Sequence, residues 1–310
     1  MVGVDLDISV CVLSYNSQST IIETLDSILS QDFSSERCNL IVSDDGSKDL
    51  TVQVVRDWLA EHSSSFKSFE MISSEKNRGV TENFNRALGS VDSGWVKVIA
   101  ADDVLAVNCL SVFNRYVHQN PSAQVVFSDA YSFTESLDNT NRLSHPKSLI
   151  GKSASDQFSN LLLKSNILAP TGFIKFEVLR DVGFADARFK MMEDYPLWLK
   201  LTSLGINLDF VEEPLVYYRF SNTLSQYDSK IGNIEFLECY HDICQLLVWP
   251  HLRGIHRLKV LDDKILIRSK IWAINKFHNK KGLSSKLFFL IVNSFRVYKL
   301  LEAIISKLRG

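Results

Sequence analysis

The chain opens with short apolar, mostly β-branched runs, each followed by polar loop residues and then by apolar positions at helical spacing. Ile8-Ser9-Val10-Cys11-Val12-Leu13 reads as a strand buried on both faces, with Ser14-Tyr15-Asn16-Ser17 as the loop after it. Ile21, Ile22, Leu25, Ile28 and Leu29 then predict a helix, capped by Ser17 or Ser19. Asn39-Leu40-Ile41-Val42, the turn Ser43-Asp44-Asp45-Gly46-Ser47 and a helix from Asp49 through Val54, Val55, Trp58 and Leu59 repeat the unit. Glu70-Met71-Ile72 with Asn77-Arg78-Gly79 and a helix from Thr81 to Leu88 make a third. A fourth strand, Trp95 to Ala100, ends in Asp102 and Asp103. Strands alternating with helices predict βαβ crossovers and a mostly parallel sheet, with the polar strand ends gathered along one edge.

Val125-Val126-Phe127 extends the sheet, and Asp129 to Lys152, rich in Ser, Asn and Asp, reads as a long loop. Phe158 to Leu163 is helical in pattern, and Ala169 to Phe176 holds a Pro-Thr-Gly turn and a short strand. Pro196 suits a first helical turn, which sets Glu193 or Asp194 at a helix start; Leu197, Leu201 and Leu204 share the inner face, and Gly205 ends the helix. Asp209 to Val211 and Leu215 to Tyr218 are strands, the second leading to Arg219. The end of the chain is helical, with Leu287, Leu290, Ile291, Phe295, Tyr298, Leu301, Ile305 and Leu308 on one face and Lys286, Arg296, Lys299 and Lys307 elsewhere. That pattern fits an interfacial amphipathic helix, and equally a helix packed on its own domain or in a dimer.

Composition narrows the picture. With 310 residues, 45% apolar and 23% charged, the chain has room for one large domain or a domain with an appendage. Cys11, Cys38, Cys109, Cys239 and Cys244 include no Cys-x-x-Cys pair, which argues against a disulfide framework or zinc site and fits a reducing cytoplasm. Ile8 to Leu13 is too short for a secretory core, and no apolar run reaches membrane-spanning length, so the chain is expected to stay on the side where it is made. The net charge of -2 hides a division. From His251 onward there are fourteen Lys and Arg against three Asp and Glu; the first 250 residues hold twenty against thirty-three. An acidic body and a basic tail imply surfaces with different partners, and the acidic body opposes a nucleic-acid role.

An unpaired buried carboxylate costs several kcal/mol, so Asp102 and Asp103 belong at a strand's carboxyl end, facing a cleft or solvent, where open α/β sheets bind ligands. The same edge gathers Tyr15, Asn16, Asp44, Asp45 and Arg78, and later Glu193, Asp194 and Arg219. An aromatic ring with a carboxylate can hold a nucleobase and ribose, and a carboxylate pair can hold a hard divalent cation that bridges a diphosphate. Without the cation an acidic edge repels phosphate. A further carboxylate can act as general base on a hydroxyl. The G-x-G-x-x-G and G-x-x-x-x-G-K-[ST] phosphate loops are missing, as are a G-x-S-x-G elbow and an H-E-x-x-H helix.

Taken in order, Ser9 to Asn16, Val42 to Asp49, Asn77-Arg78-Gly79 with Asn85, Ala101-Asp102-Asp103 and Glu193 to Trp198 resemble the motifs of family 2 glycosyltransferases of the GT-A fold, over residues 7 to 225. The resemblance implies an α/β, Rossmann-like, mostly parallel sheet flanked by helices in a transferase domain of residues 1–225; charge and helical pattern make residues 226–310 a helical, basic extension suited to a membrane surface. It implies inverting transfer from a nucleotide-sugar donor, usually a UDP-sugar, with Mg or Mn. Carried onto this chain, Tyr15 and Asp45 hold the base, Asp102 the ribose side and Asp103 the metal, while Asn16 and Arg78 join the donor site. Asp194 matches the general base and Arg219 faces the diphosphate. Two departures stand out: Ser221 occupies a position where the family often has His, and the metal motif reads Ala-Asp-Asp rather than Asp-x-Asp.

The run Glu193 to Leu201 is most similar to the members that extend an undecaprenyl-diphosphate type, lipid-linked saccharide in O-antigen or capsule assembly. The basic tail suits the anionic inner face of the cytoplasmic membrane, where each Lys or Arg contributes about 1 kcal/mol. A sugar nucleotidyltransferase is the alternative enzyme, but Ser14 to Ser19 offers no Gly-rich basic triphosphate loop. A catalytically silent glycan-binding partner of the same fold is the other alternative.

Overall fold

The computed structural model describes residues 6–34, 37–220 and 230–309, the side chains of 303 and 305–309 excepted. The predicted alternation gives β1 (Ile8–Ser14), α1 (Ile21–Leu29), β2 (Cys38–Asp44), α2 (Thr51–His62), β3 (Ser68–Ser73), α3 (Val80–Leu88) and β4 (Trp95–Ala100). These strands run parallel in the order β3-β2-β1-β4. Ile8, Val10 and Val12 of β1 alternate into one face beside Leu40 and Val42 of β2, and Ile21, Leu25 and Ile28 of α1 join the same core. Each such side chain withdrawn from water stabilises the fold by about 1.5–3 kcal/mol.

Beyond β4 the chain adds β5 (Val104–Leu105), α4 (Cys109–Gln119), β6 (Val125–Phe133), β7 (Asn141–Leu143), α5 (Ala154–Leu163), β8 (Gly172–Lys175), α6 (Phe176–Asp181), α7 (Asp194–Ser203) and β9 (Asp209–Arg219). The sheet continues β4-β8-β6-β9-β5. Here β8 runs antiparallel to β4 and β6, β6 pairs parallel with β9, and β5 pairs antiparallel with β9. The fold is thus a mixed α/β sheet flanked by helices, parallel in its first half.

Several local expectations are corrected. Neither Ser17 nor Ser19 caps α1: the helix begins after Thr20, whose hydroxyl donates to the Ala101 carbonyl at 2.7 Å. The stretch read as a loop from Asp129 continues β6 to Phe133 and returns as β7. It is ordered by the buried Asp129 carboxylate, which accepts from Arg142 Nη2 at 2.7 Å, Ser144 Oγ at 2.8 Å and the His145 N–H at 3.1 Å. The two strands read before Arg219 are one strand, β9, whose register against β6 jumps between Ser128/Val211 and Asp129/Pro214. Pro214 has no N–H to give a ladder, so the irregularity falls there. Leu204 is exposed rather than on the inner face of α7, because it follows the helix end.

The chain forms two compact units, one of residues up to Leu161 and from Asn166 to Phe220, the other of Leu162–Ser165 and the residues after Phe220. The second holds α8 (Ile234–Ile243), α9 (Leu258–Lys276), α10 (Leu283–Ser294) and α11 (Val297–Arg309), around a small core of Leu237, Ile267 and Ile274. The amphipathic helix expected through Leu287 to Leu308 is therefore two helices. The break falls where the carboxylate of Asp262, on α9, accepts the N–H groups of Tyr298 and Lys299 at 3.2 and 2.9 Å and so holds the start of α11. Ser221 and the 225/226 boundary lie outside the described residues.

Candidate active site

Parallel register sets the strand ends level: Ser14 lies opposite Asp44, and the Asp45 and Ala101 N–H groups donate to the Ser14 and Leu13 carbonyls, each at 2.9 Å. Asp44 is fully buried and pins the turn, accepting from the N–H of Gly46 at 3.0 Å and of Ser47 at 2.9 Å. The loop after β1 is then tied to the loop after β2. Asn16 adopts a left-handed φ of 51°; its N–H donates to Ser47 Oγ at 2.8 Å and its Oδ1 accepts from the Lys48 N–H at 2.8 Å. Fixing Asn16 in this way presents Tyr15, 45% exposed, at the rim.

Asp45 is buried and turned inward. Its Oδ2 accepts from the N–H groups of Arg78 and Gly79 at 3.0 and 2.8 Å, and its Oδ1 from Arg86 Nη2 at 3.2 Å. A carboxylate offers about four acceptor positions, so one remains. The Arg78 guanidinium is half-exposed and pairs with Glu82 at 2.9 Å.

Asp102 and Asp103 follow β4, and β5 leads straight on to pair with β9, which brings Arg219 to them. The Arg219 N–H donates to Asp103 Oδ1 at 2.9 Å, its Nε to the Asp102 carbonyl at 2.8 Å and its Nη1 to the Thr134 carbonyl at 3.0 Å. Nη2 bonds Glu23 of α1, and the guanidinium lies over the Phe133 ring at 4.3 Å. Three of its five N–H donors are thus engaged within the fold. The guanidinium that the resemblance sets at a diphosphate is tied within this fold to the Asp102 and Thr134 main chain and to Glu23.

Asp103 Oδ2 is buried and has no hydrogen-bond partner among the described residues. Burial, and then the neighbouring Asp102 charge, push the Asp103 carboxyl well above the usual carboxylate range, against the pull of Arg219 and Lys97. Burial raises Asp102 as well, while Arg219 opposes it. An unpartnered oxygen in a pair of like charges is a site that fits a hard cation. Among the described residues no three His, Cys, Asp or Glu side chains converge on one point, so oxygens of a bound diphosphate would have to complete the coordination.

Glu193 and Asp194 form the second carboxylate pair. Asp194 opens α7, and its Oδ1 accepts its neighbour's N–H, that of Tyr195, at 2.7 Å. Burial, then the Asp194 charge, push the Glu193 carboxyl up to about 8, and burial also raises Asp194. Tyr218, which the sequence reading passed over as strand, is within electrostatic reach of both pairs: burial first, then Asp103, Asp102, Asp194 and Glu193 oppose its ionisation. The only sequence signal was alternation: Tyr217 stacks on Tyr131 at 5.5 Å, and a period of two turns Tyr218 to the other face. Glu23 was missed too, since nothing in a helical pattern singles it out.

A rim aromatic and a cation-suited carboxylate at the strand ends, with a second carboxylate pair of raised pKa at the start of α7, mark this edge of the α/β sheet as the candidate active site of an enzyme. The model of "Glycosyl transferase family 2" matches residues 9–183, and the chain belongs to that family. It is 26% identical over 304 residues to an uncharacterized glycosyltransferase of Haemophilus influenzae, covering 96% of this chain and 90% of that protein. It is 25% identical over 215 residues to the Escherichia coli UDP-Glc:alpha-D-GlcNAc-diphosphoundecaprenol beta-1,3-glucosyltransferase WfaP, covering 68% of this chain and 76% of that one. The crystal structure of S. aureus TarS 1-349 in complex with UDP-GlcNAc shares the fold, with a TM-score of 0.60, 19% identity, and coverage of 92% of this chain and 79% of that one. The protein is a glycosyltransferase with relatives in polysaccharide synthesis.

Proposed function

We propose that the chain is an inverting, metal-assisted glycosyltransferase that moves a sugar from a UDP-sugar to a hydroxyl of a lipid-linked saccharide, of the undecaprenyl diphosphate type, during assembly of a surface polysaccharide such as O-antigen or capsule. The observation that carries the reading is the buried, unpartnered Asp103 Oδ2 beside Asp102, with Tyr218 within electrostatic reach both of that pair and of Glu193 and Asp194. The relative named for a UDP-Glc donor and a diphosphoundecaprenol-linked acceptor supports the donor and acceptor classes.

Tyr15 stacks on the base, Asn16 holds Tyr15 in place, and the remaining acceptor position of Asp45 receives the base N–H. Asp102 takes the ribose side and Asp103 holds Mg or Mn. The bound cation supplies charge stabilisation to the departing diphosphate. Arg78 lies at the donor rim, and Arg219 serves the donor by holding Asp102 and Asp103. Asp194 takes the proton of the acceptor hydroxyl as that oxygen bonds to the anomeric carbon; the bond to the UDP oxygen breaks on the opposite face, and UDP leaves with that electron pair. Glu193, protonated until about pH 8, spares Asp194 a like charge beside it.

Residues up to about 225 form the transferase domain in this reading, and the helical extension that follows places it on the inner face of the cytoplasmic membrane as a peripheral protein. No helix among the described residues is long and apolar enough to cross a membrane. The deciding experiment is calorimetric titration with UDP, with and without Mn, beside Asp103→Ala. Metal-dependent binding that the variant loses supports the donor site and opens a screen of UDP-sugars with lipid-linked acceptors. No binding of UDP, GDP or another nucleotide by the wild type leaves the catalytically silent alternative.

A further inference from the structure

In the second compact unit α10 is amphipathic in an inverted sense. Ser285 and Val292 are buried, whereas Leu283, Leu287, Leu290 and Ile291, which share a face at helical spacing, are 53–75% exposed. The pattern crosses the break: Phe295 at the corner is 64% exposed, and Val297, Leu300 and Ile304 of α11 are exposed at 45–55%. Exposed large apolar side chains concentrated on one helix face in this way mark an interaction site. The corner is rigid by construction, because Asp262 is buried and accepts the N–H groups at the start of α11, with Arg296 Nε 3.9 Å away.

The exposed charge around this face is predominantly basic. Of the three acids after His251, Asp262 is buried under α11 and Asp263 is buried against Lys259 at 2.7 Å and the Trp249 indole at 3.1 Å, which leaves Glu302 at the surface. Lys276, Lys280, Lys281 and Lys286 bracket the start of α10, and Lys299 follows the corner; all five are exposed. Burial first, with the Arg296 and Lys281 charges, holds the Lys270 ammonium below its ordinary value. Among the described residues the other exposed acids of this unit, Glu235, Glu238 and Asp242, sit on α8.

We propose that the outward face of α10 and α11 is a lipid-docking surface that buries its leucines at the acyl boundary of an anionic membrane while the flanking lysines and arginines engage headgroup phosphates. The choice of a membrane over another apolar partner follows from this charge complementarity, and it rests on the proposed lipid-linked acceptor only for its purpose. Helices of this type lie in the interface plane, and their affinity combines buried apolar area with attraction to anionic lipid.

Flotation of the full chain with phosphatidylglycerol and with phosphatidylcholine vesicles tests it. Binding is expected to phosphatidylglycerol, falling about fivefold for each of Lys286→Gln and Lys299→Gln. It should fall about a hundredfold, about tenfold per exposed side chain, in Leu287→Ser/Leu290→Ser. Both leucines are exposed, so the double variant should fold, and an unchanged response to UDP and Mn beside the wild type checks this. Phosphatidylglycerol binding that is absent, or unchanged in the double variant, overturns the proposal. So does a concentration-dependent dimer that the double variant loses in the absence of vesicle binding, since the face then belongs to a second copy. Failure of the functional reading shows separately, as loss of nucleotide binding in the wild type.

Discussion

The backbone N–H of Arg219 donates to Asp103 Oδ1 at 2.9 Å, joining residues 116 positions apart in the chain. The same residue reaches the Asp102 carbonyl through Nε at 2.8 Å and ties the group to α1 through Glu23. The main chain of Arg219 thus holds the Asp103 carboxylate while its guanidinium holds the backbone of Asp102, so one residue of β9 positions both members of the pair. The placement of the pair is therefore set from β9 and not from its own turn alone.

Arg219→Lys keeps the charge and the backbone bond but loses the fork. UDP affinity in Mn is expected to fall about tenfold, with Mn-free behaviour unchanged. Asp103→Ala, by contrast, should abolish the Mn dependence altogether. Titration calorimetry of the two variants ranks them, and equal effects would mean that Arg219 contacts the donor itself.

Asp194→Asn removes the base while leaving the donor side intact. The expected outcome is a loss of about 10²–10⁴ in kcat with UDP titration unchanged. A fall in UDP affinity of similar size would reassign Asp194 to the donor. The kcat profile of the wild type should lose activity on the acid side at a pH above the ordinary carboxylate range, because burial raises Asp194.

Glu193 gives a stability prediction with a defined sign. Its carboxyl is raised from 4.5 to about 8 in the folded chain, so over that window the unfolded chain releases the proton while the folded chain keeps it. The folded state binds more protons, and stability must fall as pH rises from about 4.5 to 8. Glu193→Gln should flatten this slope and leave the variant relatively more stable at the alkaline end. Urea midpoints measured across that range check it; parallel curves for the two proteins would show that Glu193 ionises normally.

The first half of the fold was legible because β1, β2 and β4 are apolar runs closed by polar turns, and Asp45 and Asp102-Asp103 fall where those runs stop. What escaped depends on partners far away in the chain. Asp129 to Lys152 looked irregular because the ion pair with Arg142 that orders it sets a charge inside a strand. The resemblance sets Arg219 at a diphosphate and gives no sign of its bond to Glu23, 196 positions away, because Glu23 carries no local mark. The α10–α11 break was hidden for the same reason, since Asp262 acts on it from 36 and 37 positions away. Tyr218 was passed over because a tyrosine at the end of a strand has an ordinary reason to be there.

Gly79 links the two halves of the candidate site. It precedes α3 at a φ of +100°, and its N–H donates to Asp45 Oδ2 at 2.8 Å. A Cβ there would stand 2.5 Å from the Lys190 carbonyl oxygen, in the segment that leads to Glu193 and Asp194. Gly79→Ala therefore adds backbone strain to a collision with main chain, and one of the two must move. Gly183 is the control, with a φ of +75° and nothing within 4 Å of its Cβ position. Gly183→Ala should cost the left-handed strain alone, about 1–2 kcal/mol. Gly79→Ala should cost at least about 1–3 kcal/mol more and also lower both UDP affinity and kcat, since Asp45 and Asp194 are displaced together. Urea unfolding of the two variants beside the wild type gives the comparison. Equal losses would show that the 189–190 segment yields freely, and that the donor and acceptor sides are not coupled through Gly79.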